Sequence, residues 1–335
     1  MNSNAETYSN LTFREMKETD ARALCDCVRI CYGDTYFVDD FYDPERLSVL
    51  INQGLLNSSI AVTTSGKVVG HLGLTLERSD DITADTLAAI VAPDYRGHRI
   101  LVELGKQLMD IYERLGLVGL QLYAIAVHKI VQGQSTEAGG IETGILLGHF
   151  PADIQIEGFS SAYDGSRVAA VLLYFPLHPA PSRTVYVPDR YRDIIDSVYQ
   201  ELGLDRTIER NSTPPFSATT VTSIEEKPRQ GTARIRVDRP GVDLMEVIAR
   251  FKNLSLAKSF PVLYVDLPLA DPASAVFIND LRSLGFFYGG IVMERSGSDI
   301  LRMQYVNRKN VNPEAIVLAR PYGKDLLEFV LSDWQ

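Results

Sequence analysis

Hydrophobic and polar positions follow two different periods along this chain, and the changes of period predict strands and helices in alternation. Strand-like runs in the first third, either apolar or alternating with a period of two, lie at residues 10–16, 59–64, 67–78 and 86–91. Amphipathic stretches predict helices at residues 19–32 and 43–54. Thr19 and Asp20 supply short polar side chains that can satisfy the first amides of the first helix, and the second helix begins at Asp43, Pro44 and Glu45.

The most regular helix pattern comes directly after the strand at residues 86–91, whose continuous apolar run predicts burial on both faces. Residues 92–97 predict a turn and residues 98–115 a long helix, which Gly116 ends. The apolar positions of that helix are Ile100, Leu101, Leu104, Leu108, Ile111, Tyr112 and Leu115. Further elements are predicted as a strand at 117–127, a short helix at 131–140 and a strand at 167–178. A run of prolines, from Pro176 to Pro181, marks the predicted domain boundary.

The second half of the chain repeats part of this order. Its strands are predicted at 233–238, 261–267, 286–294 and 300–306, and its helices at 242–254 and 271–284. A strand and a helix at 183–204 introduce it. The two copies are offset by about 145 residues, which predicts an internal duplication with diverged sequence. The predicted fold class is α/β (α+β), with domains at 1–180 and 181–335, each a mixed central sheet flanked by helices.

Net charge, apolar runs and cysteine spacing exclude several classes of function. The 335 residues carry a net charge of −10, whereas a non-specific binder of nucleic acid or anionic membrane needs a basic surface. Neither a signal sequence at the N-terminus nor an apolar run of membrane-spanning length is evident, so the sequence predicts a cytoplasmic protein. Cys25, Cys27 and Cys31 could hold a soft metal by their spacing, but no second cluster completes a site. We therefore predict no metal and cysteines that pack inside a helix.

Residues 91–100, Val-Ala-Pro-Asp-Tyr-Arg-Gly-His-Arg-Ile, contain the clearest motif. A turn between a strand and a helix presents unpaired amides and a partial positive charge to an anion, and Gly97 lets phosphate approach the backbone. The segment resembles the acetyl-CoA-binding signature of the GNAT superfamily of N-acetyltransferases, in which a buried strand ends in V-x-P-x-[YH]-R-G and opens a long helix. The resemblance covers about half of the chain by motif and the rest by element order alone.

The resemblance implies acetyl-CoA or CoA as the co-substrate and assigns its binding residues. By that likeness the backbone of Ala89, Ile90 and Val91 pairs with pantetheine. The phosphate loop falls on Arg96, Gly97, His98, Arg99, Ile100 and Leu101. Arg99 stands where the family has a glycine, and Leu101 where it has a small residue. Arg99 either crowds the pyrophosphate or binds it through its guanidinium.

The catalytic assignments are less distinctive. Some family members carry a general-base carboxylate at the position of Asp85, and Glu77 on the adjacent predicted strand is its rival. The usual acid, a tyrosine, has no counterpart between Tyr123 and Tyr163, which leaves His128 to protonate or orient the thiolate. His71 is a still weaker candidate. A solvated strand-end aspartate and a satisfied structural histidine remain the alternatives for Asp85 and His128.

Two further segments bear on substrate and domain roles. The aromatic and acidic residues at 32–43 suit a cationic amine acceptor by cation–π and charge attraction, or else form a packed connecting loop. The second copy lacks the Arg-Gly loop and places Asp243 in the first turn of its helix, where a carboxylate would repel phosphate. It is interpreted as a degenerate copy that serves either as a structural partner or as a wall of the acceptor-binding cleft.

These features predict an N-acyltransferase that moves an acetyl or other short acyl group from CoA to an amine acceptor. A non-catalytic module of the same fold that binds acyl-CoA and regulates is the alternative, and a scaffold without CoA is a third. A homodimer is left open, and the sequence does not identify the acceptor.

Overall fold

The computed structural model describes residues 10–154, 165–209, 216–307 and 311–334. The chain divides into two compact units between Leu120 and Gln121. This division differs from the predicted boundary at residues 180–181, which was placed where the element order starts again. The domains 1–180 and 181–335 therefore stay a prediction about the repeat.

The first unit is an antiparallel sheet with helices. Its strands are β1 (Thr12–Glu15), β2 (Leu56–Val62), β3 (Val68–Thr75) and β4 (Thr83–Val91), hydrogen-bonded in that order. Its helices are α1 (Ala21–Tyr32), α2 (Pro44–Asn52) and α3 (Ile100–Leu115), with 3-10 turns at Glu18–Asp20, Asp39–Tyr42 and Pro93–Tyr95. Asp43 caps α2 by accepting from the amides of Glu45 and Arg46. The cap predicted for α1 is not formed, because the Asp20 carboxylate instead pairs with Arg14 and accepts from the Lys17 amide. Strand β5 (Gly119–Ile125) begins at the end of this unit.

Helix α3 packs directly on β3, and one glycine makes the close approach possible. The buried face of the helix consists of Ile100, Leu104, Leu108 and Ile111, which confirms the predicted amphipathic pattern, whereas Leu101 is exposed. A Cβ at Gly70 would lie 2.7 Å from Ile100 Cγ2. Cys25 and Cys27 are buried on α1, and Cys31 is half-buried, so the prediction of packed helical cysteines is confirmed.

The second unit holds one large mixed sheet and a small parallel pair. Its strands are β6 (Ile141–Phe150), β7 (Val168–Pro176), β8 (Arg183–Tyr186), β9 (Arg206–Glu209), β10 (Val221–Lys227), β11 (Thr232–Arg239), β12 (Val262–Pro268), β13 (Phe287–Arg295) and β14 (Ser298–Val306). Its helices are α4 (Ile130–Glu137), α5 (Arg192–Leu202), α6 (Leu244–Ala257), α7 (Pro272–Val276), α8 (Ile278–Ser283) and α9 (Pro321–Asp333), and 3-10 turns lie at Asp189–Tyr191 and Pro313–Ala315. Within this unit the strands follow the order β5-β7-β6-β13-β14-β12-β11-β10, and β8 pairs with β9.

The observed element order extends the predicted repeat. The sequence pattern did not predict β6, β9, β10 or α9, and the single helix predicted at 271–284 is two helices, α7 and α8. With β6 present, the order β4-α3-β5-α4-β6-β7 corresponds to β11-α6-β12-α7/α8-β13-β14. The central strands β5-β7-β6 and β13-β14-β12 also mirror one another across the β6–β13 pair.

The β6–β13 pair depends on facing glycines. Gly144 lies opposite Gly290, and a Cβ at Gly144 would lie 2.5 Å from the Gly290 Cα. Gly144→Ala is expected to lower the free energy of unfolding of the second unit by about 3 kcal/mol, because backbone rather than a flexible side chain would have to move. Urea denaturation measures the effect. Gly133→Ala in α4, where a Cβ meets nothing within 4 Å, is the control, and an equal loss there would contradict the argument.

Candidate functional site

The segment between β4 and α3 forms a tight, partly left-handed turn. The 3-10 turn at Pro93–Tyr95 is closed by the Tyr95 amide, which donates to the Ala92 carbonyl at 2.9 Å. Gly97 has a φ of +80°, and Arg99 has a φ of +58°, a left-handed conformation that favours glycine. The position at which the resembled family has glycine is therefore one where the backbone requires a positive φ, and here an arginine adopts it.

The N-terminus of α3 is the strongest candidate for an anion site. Arg99 precedes the helix and makes no side-chain capping bond within the described chain, while its carbonyl accepts from the amides of Val102 and Glu103. Gly97 and Arg99 are exposed, and a Cβ at Gly97 would meet nothing within 4 Å. The first-turn amides, the helix dipole and the exposed guanidinium together suit a phosphate group.

The remaining loop residues contribute through the backbone or through local bonds. Arg96 Nε donates to the Val91 carbonyl at 3.0 Å, and His98 Nδ1 donates to the Arg96 carbonyl at 2.8 Å. Ile100 is 2% exposed and belongs to the core, so only its amide can face a ligand. Leu101 is 41% exposed. The predicted phosphate-loop residues thus lie together at one end of α3.

Strand β4 contains a β-bulge just before its end. His71 on β3 lies opposite Ile90 and Gly73 lies opposite Leu87, so Ala88 and Ala89 together face a single residue, Leu72. Ala88 has a φ of +54°, which is unusual for a residue with a side chain, and Ala89 is exposed. The bulge turns part of the strand backbone away from the β3 ladder.

The residues assigned to pantetheine differ in what their backbone offers. The Val91 carbonyl already accepts from Arg96 Nε and from Cys31 Sγ, the latter at 3.6 Å. The Ile90 side chain is 1% exposed and packs in the core. Among Ala89, Ile90 and Val91, the exposed Ala89 at the bulge is therefore best placed to meet a ligand.

His71 is fully buried beneath the bulge. Its Nδ1 lies 2.8 Å from the Ala88 carbonyl, and its Nε2 lies 3.0 Å from the Ser58 hydroxyl. The Phe41 ring meets the imidazole edge-on, with centroids 5.5 Å apart. Burial lowers the pKa of His71 to about 4, against the usual value of 6.5. The sequence ranked this residue below His128, because an isolated histidine in a strand gives no sign of its partners.

The depressed pKa of His71 gives a prediction for acid stability. Because the unfolded chain binds a proton near pH 6.5 and the folded chain only near pH 4, the neutral ring contributes stability above pH 6.5 that is lost as the pH falls towards 4. The loss by pH 4 is expected to be about 3 kcal/mol. Chemical denaturation of the parent and of His71→Asn at pH 7 and pH 4 measures it. The variant should lose less stability, and equal losses would contradict the assignment.

The two candidate bases lie in different surroundings. Asp85 is half-buried on β4, opposite Thr75 on β3. Glu77 follows the end of β3, where its amide donates to Asp81 Oδ2 at 3.2 Å, and it lines an open surface groove. Asp85 is therefore on the bulged strand itself, whereas Glu77 belongs to the turn that leads into it.

His128 belongs to the second unit. Its Nδ1 accepts from the Ile130 amide at 3.2 Å, and its carbonyl accepts from Gln132 Nε2 at 2.9 Å. Desolvation lowers its pKa. These bonds hold His128 against the first turn of α4, and its role as an acid stays a prediction.

The segment at residues 32–43 is packed. Tyr36 and Phe41 are buried, and the Tyr42 hydroxyl accepts from the Tyr36 amide at 2.8 Å. Arg29 lies over the Tyr42 ring, 5.6 Å from its centroid. Part of the aromatic surface of this segment is therefore used in packing. Binding of a cationic amine acceptor by this segment stays a prediction.

In the second unit, the segment between β11 and α6 corresponds to the turn between β4 and α3, and other residues of the chain occupy the space beside it. Asp243 Oδ1 accepts from the Thr220 amide at 2.7 Å, and the Gly241 amide donates to the Thr220 hydroxyl at 3.0 Å. A Cβ at Gly241 would lie 2.5 Å from the Thr220 nitrogen. Residues 219–220 thus cover the N-terminus of α6, the position that corresponds to the anion site at α3.

The described residues contain no group of His, Cys, Asp or Glu side chains that could hold a metal ion. Within the same residues, none of the helices has the length and apolar character needed to cross a membrane.

Neither a protein-family model nor a curated protein matches the chain. Among solved structures it is similar to spermidine N-acetyltransferase SpeG from Vibrio cholerae. A variant of that protein is 18% identical, with 50% of this chain and 94% of the other covered and a TM-score of 0.38. The complex with manganese is 18% identical over 51% and 94%, and a dodecameric form is 17% identical over 50% and 94%, each with a TM-score of 0.37.

Proposed function

We propose that this chain is an N-acyltransferase that moves an acetyl or other short acyl group from CoA to an amine, with one CoA site in the first unit. The observation that carries the proposal is the uncapped N-terminus of α3, with Gly97 and Arg99 exposed in left-handed conformations directly after the bulged strand β4. The amides there suit the pyrophosphate, and Arg96 and Arg99 supply positive charge in an acidic chain.

Acyl transfer from a thioester to an amine requires three contributions from the protein. A thioester is already activated, so the protein must orient the amine, accept its proton and stabilise the tetrahedral oxyanion. In this proposal a backbone amide at the β4 bulge stabilises the oxyanion, and Asp85 accepts the amine proton through water. The amine nitrogen forms the new bond to the acyl carbon, the C–S bond breaks, and the CoA thiolate leaves and takes up a proton. The coverage of the α6 N-terminus by residues 219–220 supports a single site.

Isothermal titration with CoA and acetyl-CoA tests the site, and thiol release over a panel of amines, including polyamines, tests the reaction. Binding with thiol release supports the transferase. Binding of acetyl-CoA without release of the CoA thiol in the presence of any amine would favour a regulatory module that binds acyl-CoA. The missing tyrosine and the presence of Arg99 in the loop are the sequence features that favour this alternative. No binding would reject both.

Arg99 gives a separate prediction about the loop. If its guanidinium meets a CoA phosphate, Arg99→Ala loses a charge-assisted contact and CoA affinity falls about 10–150-fold. Arg99→Gly is expected to weaken binding as well, although glycine adopts the φ of +58° without strain. Titration of both variants with CoA and dephospho-CoA identifies the phosphate. Tighter binding by the glycine variant would show that Arg99 only crowds the loop.

A further inference from the structure

The imidazole of His71 bridges the strands on either side of β3. It joins Ser58 on β2 to the Ala88 carbonyl at the β4 bulge, with both ring nitrogens within 3.0 Å of a partner. A Cβ at Gly73 would lie 2.9 Å from the His71 Cε1 and 2.9 Å from the Ser58 Oγ. The chain therefore leaves room at Gly73 for the ring and the hydroxyl, although its backbone needs no positive φ there.

The partners define which nitrogen carries the hydrogen. A carbonyl oxygen only accepts, so Nδ1 must donate to Ala88. The neutral ring then leaves Nε2 as an acceptor for the Ser58 hydroxyl, which can donate. Because the ring is fully buried, the neutral form persists at physiological pH. The Ala88 carbonyl thus selects the tautomer, and the Ser58 hydroxyl satisfies the acceptor nitrogen that this tautomer leaves buried.

We propose that His71 and Ser58 are positioning residues that hold the β4 bulge in the conformation needed to stabilise the acyl-transfer oxyanion. Ala88 at φ +54° is in a conformation that an alanine adopts only at a cost in free energy, so a bond from outside the strand is needed to fix it. That bond comes from His71 Nδ1. The inference rests on the proposed function, and it concerns residues that do not themselves touch the substrate.

The test compares four variants with the full-length parent. His71→Leu removes the donor at similar volume, and His71→Asn retains a donor near the position of Nδ1. Ser58→Ala removes the hydroxyl that donates to Nε2 and so leaves this nitrogen without its partner on β2. Ser59→Ala is the matched control, since Ser59 is equally buried on the same strand but donates to the Leu104 carbonyl at 2.8 Å instead.

The expected result is a split between kcat and KM. His71→Leu should lower kcat for thiol release about 10–100-fold, since a displacement of about 1 Å at reacting groups has that effect. The KM for acetyl-CoA should change less than kcat, because the phosphate loop at the α3 N-terminus is left as it is. His71→Asn should stay within about tenfold of the parent, Ser58→Ala should fall between them, and Ser59→Ala should keep the parent kcat. Thermal melting of each variant checks that it is folded.

An NMR measurement tests the hydrogen-bond geometry of His71 independently of catalytic turnover. Long-range ¹H–¹⁵N NMR of the parent should show His71, assigned by its loss in His71→Asn, as the neutral tautomer with hydrogen on Nδ1. The opposite tautomer would overturn the proposal, and so would an active parent whose His71→Leu variant keeps its kcat. A parent that binds acetyl-CoA but releases no thiol with any amine would instead reject the proposed transferase, and this role with it.

Discussion

The full-length variant with Arg96→Ala and Gly97→Asp is expected to lose CoA binding, with affinity reduced more than about 100-fold. The first substitution removes a guanidinium next to the α3 N-terminus. The second places a carboxylate where a Cβ meets nothing within 4 Å, so that the new charge faces the approach path of a phosphate rather than the protein core. Isothermal titration measures the loss.

A matched control separates charge at the loop from backbone strain. Gly66 in the turn between β2 and β3 has a φ of +85°, against +80° at Gly97, and its Cβ position is equally open. Gly66→Asp therefore introduces the same side chain at the same kind of backbone position, away from the loop. We expect it to bind CoA like the parent. If the double variant is folded and retains parental affinity, the CoA site has been misplaced.

The turn and the long helix could be predicted because their signals are local. Pro93 and Gly97 interrupt the apolar strand, and the helical spacing from Ile100 onward defines the face that packs on β3. Strand β4 was also predicted, although it begins at Thr83 and not at residue 86. These features depend on residues that are neighbours in sequence.

The bulge and its support could not be predicted, because they depend on the register between strands. A continuous apolar run shows no extra residue, and the shift at Ala88 appears only when β4 is aligned with β3. The partners of His71 are 13 and 17 residues away along the chain. The residue therefore looked like one more histidine in a strand.

Strand β6 shows a second reason for failure. Its apolar run is interrupted by Glu142, Gly144 and His149, which obscured the strand pattern. Each interruption is accommodated by a distant partner: Arg320 pairs with Glu142 at 3.1 Å, and the Tyr264 hydroxyl lies 2.9 Å from His149 Nδ1. Gly144 faces Gly290. Polar residues inside a strand are compatible with burial when tertiary partners satisfy them, and a single sequence does not reveal those partners.

Asp85→Asn is expected to lower turnover by about 10²–10⁴-fold with little change in CoA affinity, the usual share of general-base catalysis. Asn keeps the shape of the side chain and removes its ability to accept the amine proton. Asp85 lies three residues before Ala88, about 10 Å along the strand, so the proton reaches it through a chain of water molecules rather than directly. Single-turnover measurement of thiol release gives the rate of the chemical step.

Glu77→Gln is the paired variant, because Glu77 is the other carboxylate that the sequence placed near this strand. Glu77 lies in the turn before β4, where its amide donates to Asp81 Oδ2, and therefore not on the bulged strand itself. It is therefore expected to leave turnover within about threefold of the parent, below the range for a general base. The pH–rate profile supplies the second readout, since Asp85→Asn should lose the acidic limb and Glu77→Gln should keep it. If the two variants exchange these results, Glu77 is the base; if both keep parental turnover and the acidic limb, neither carboxylate accepts the proton.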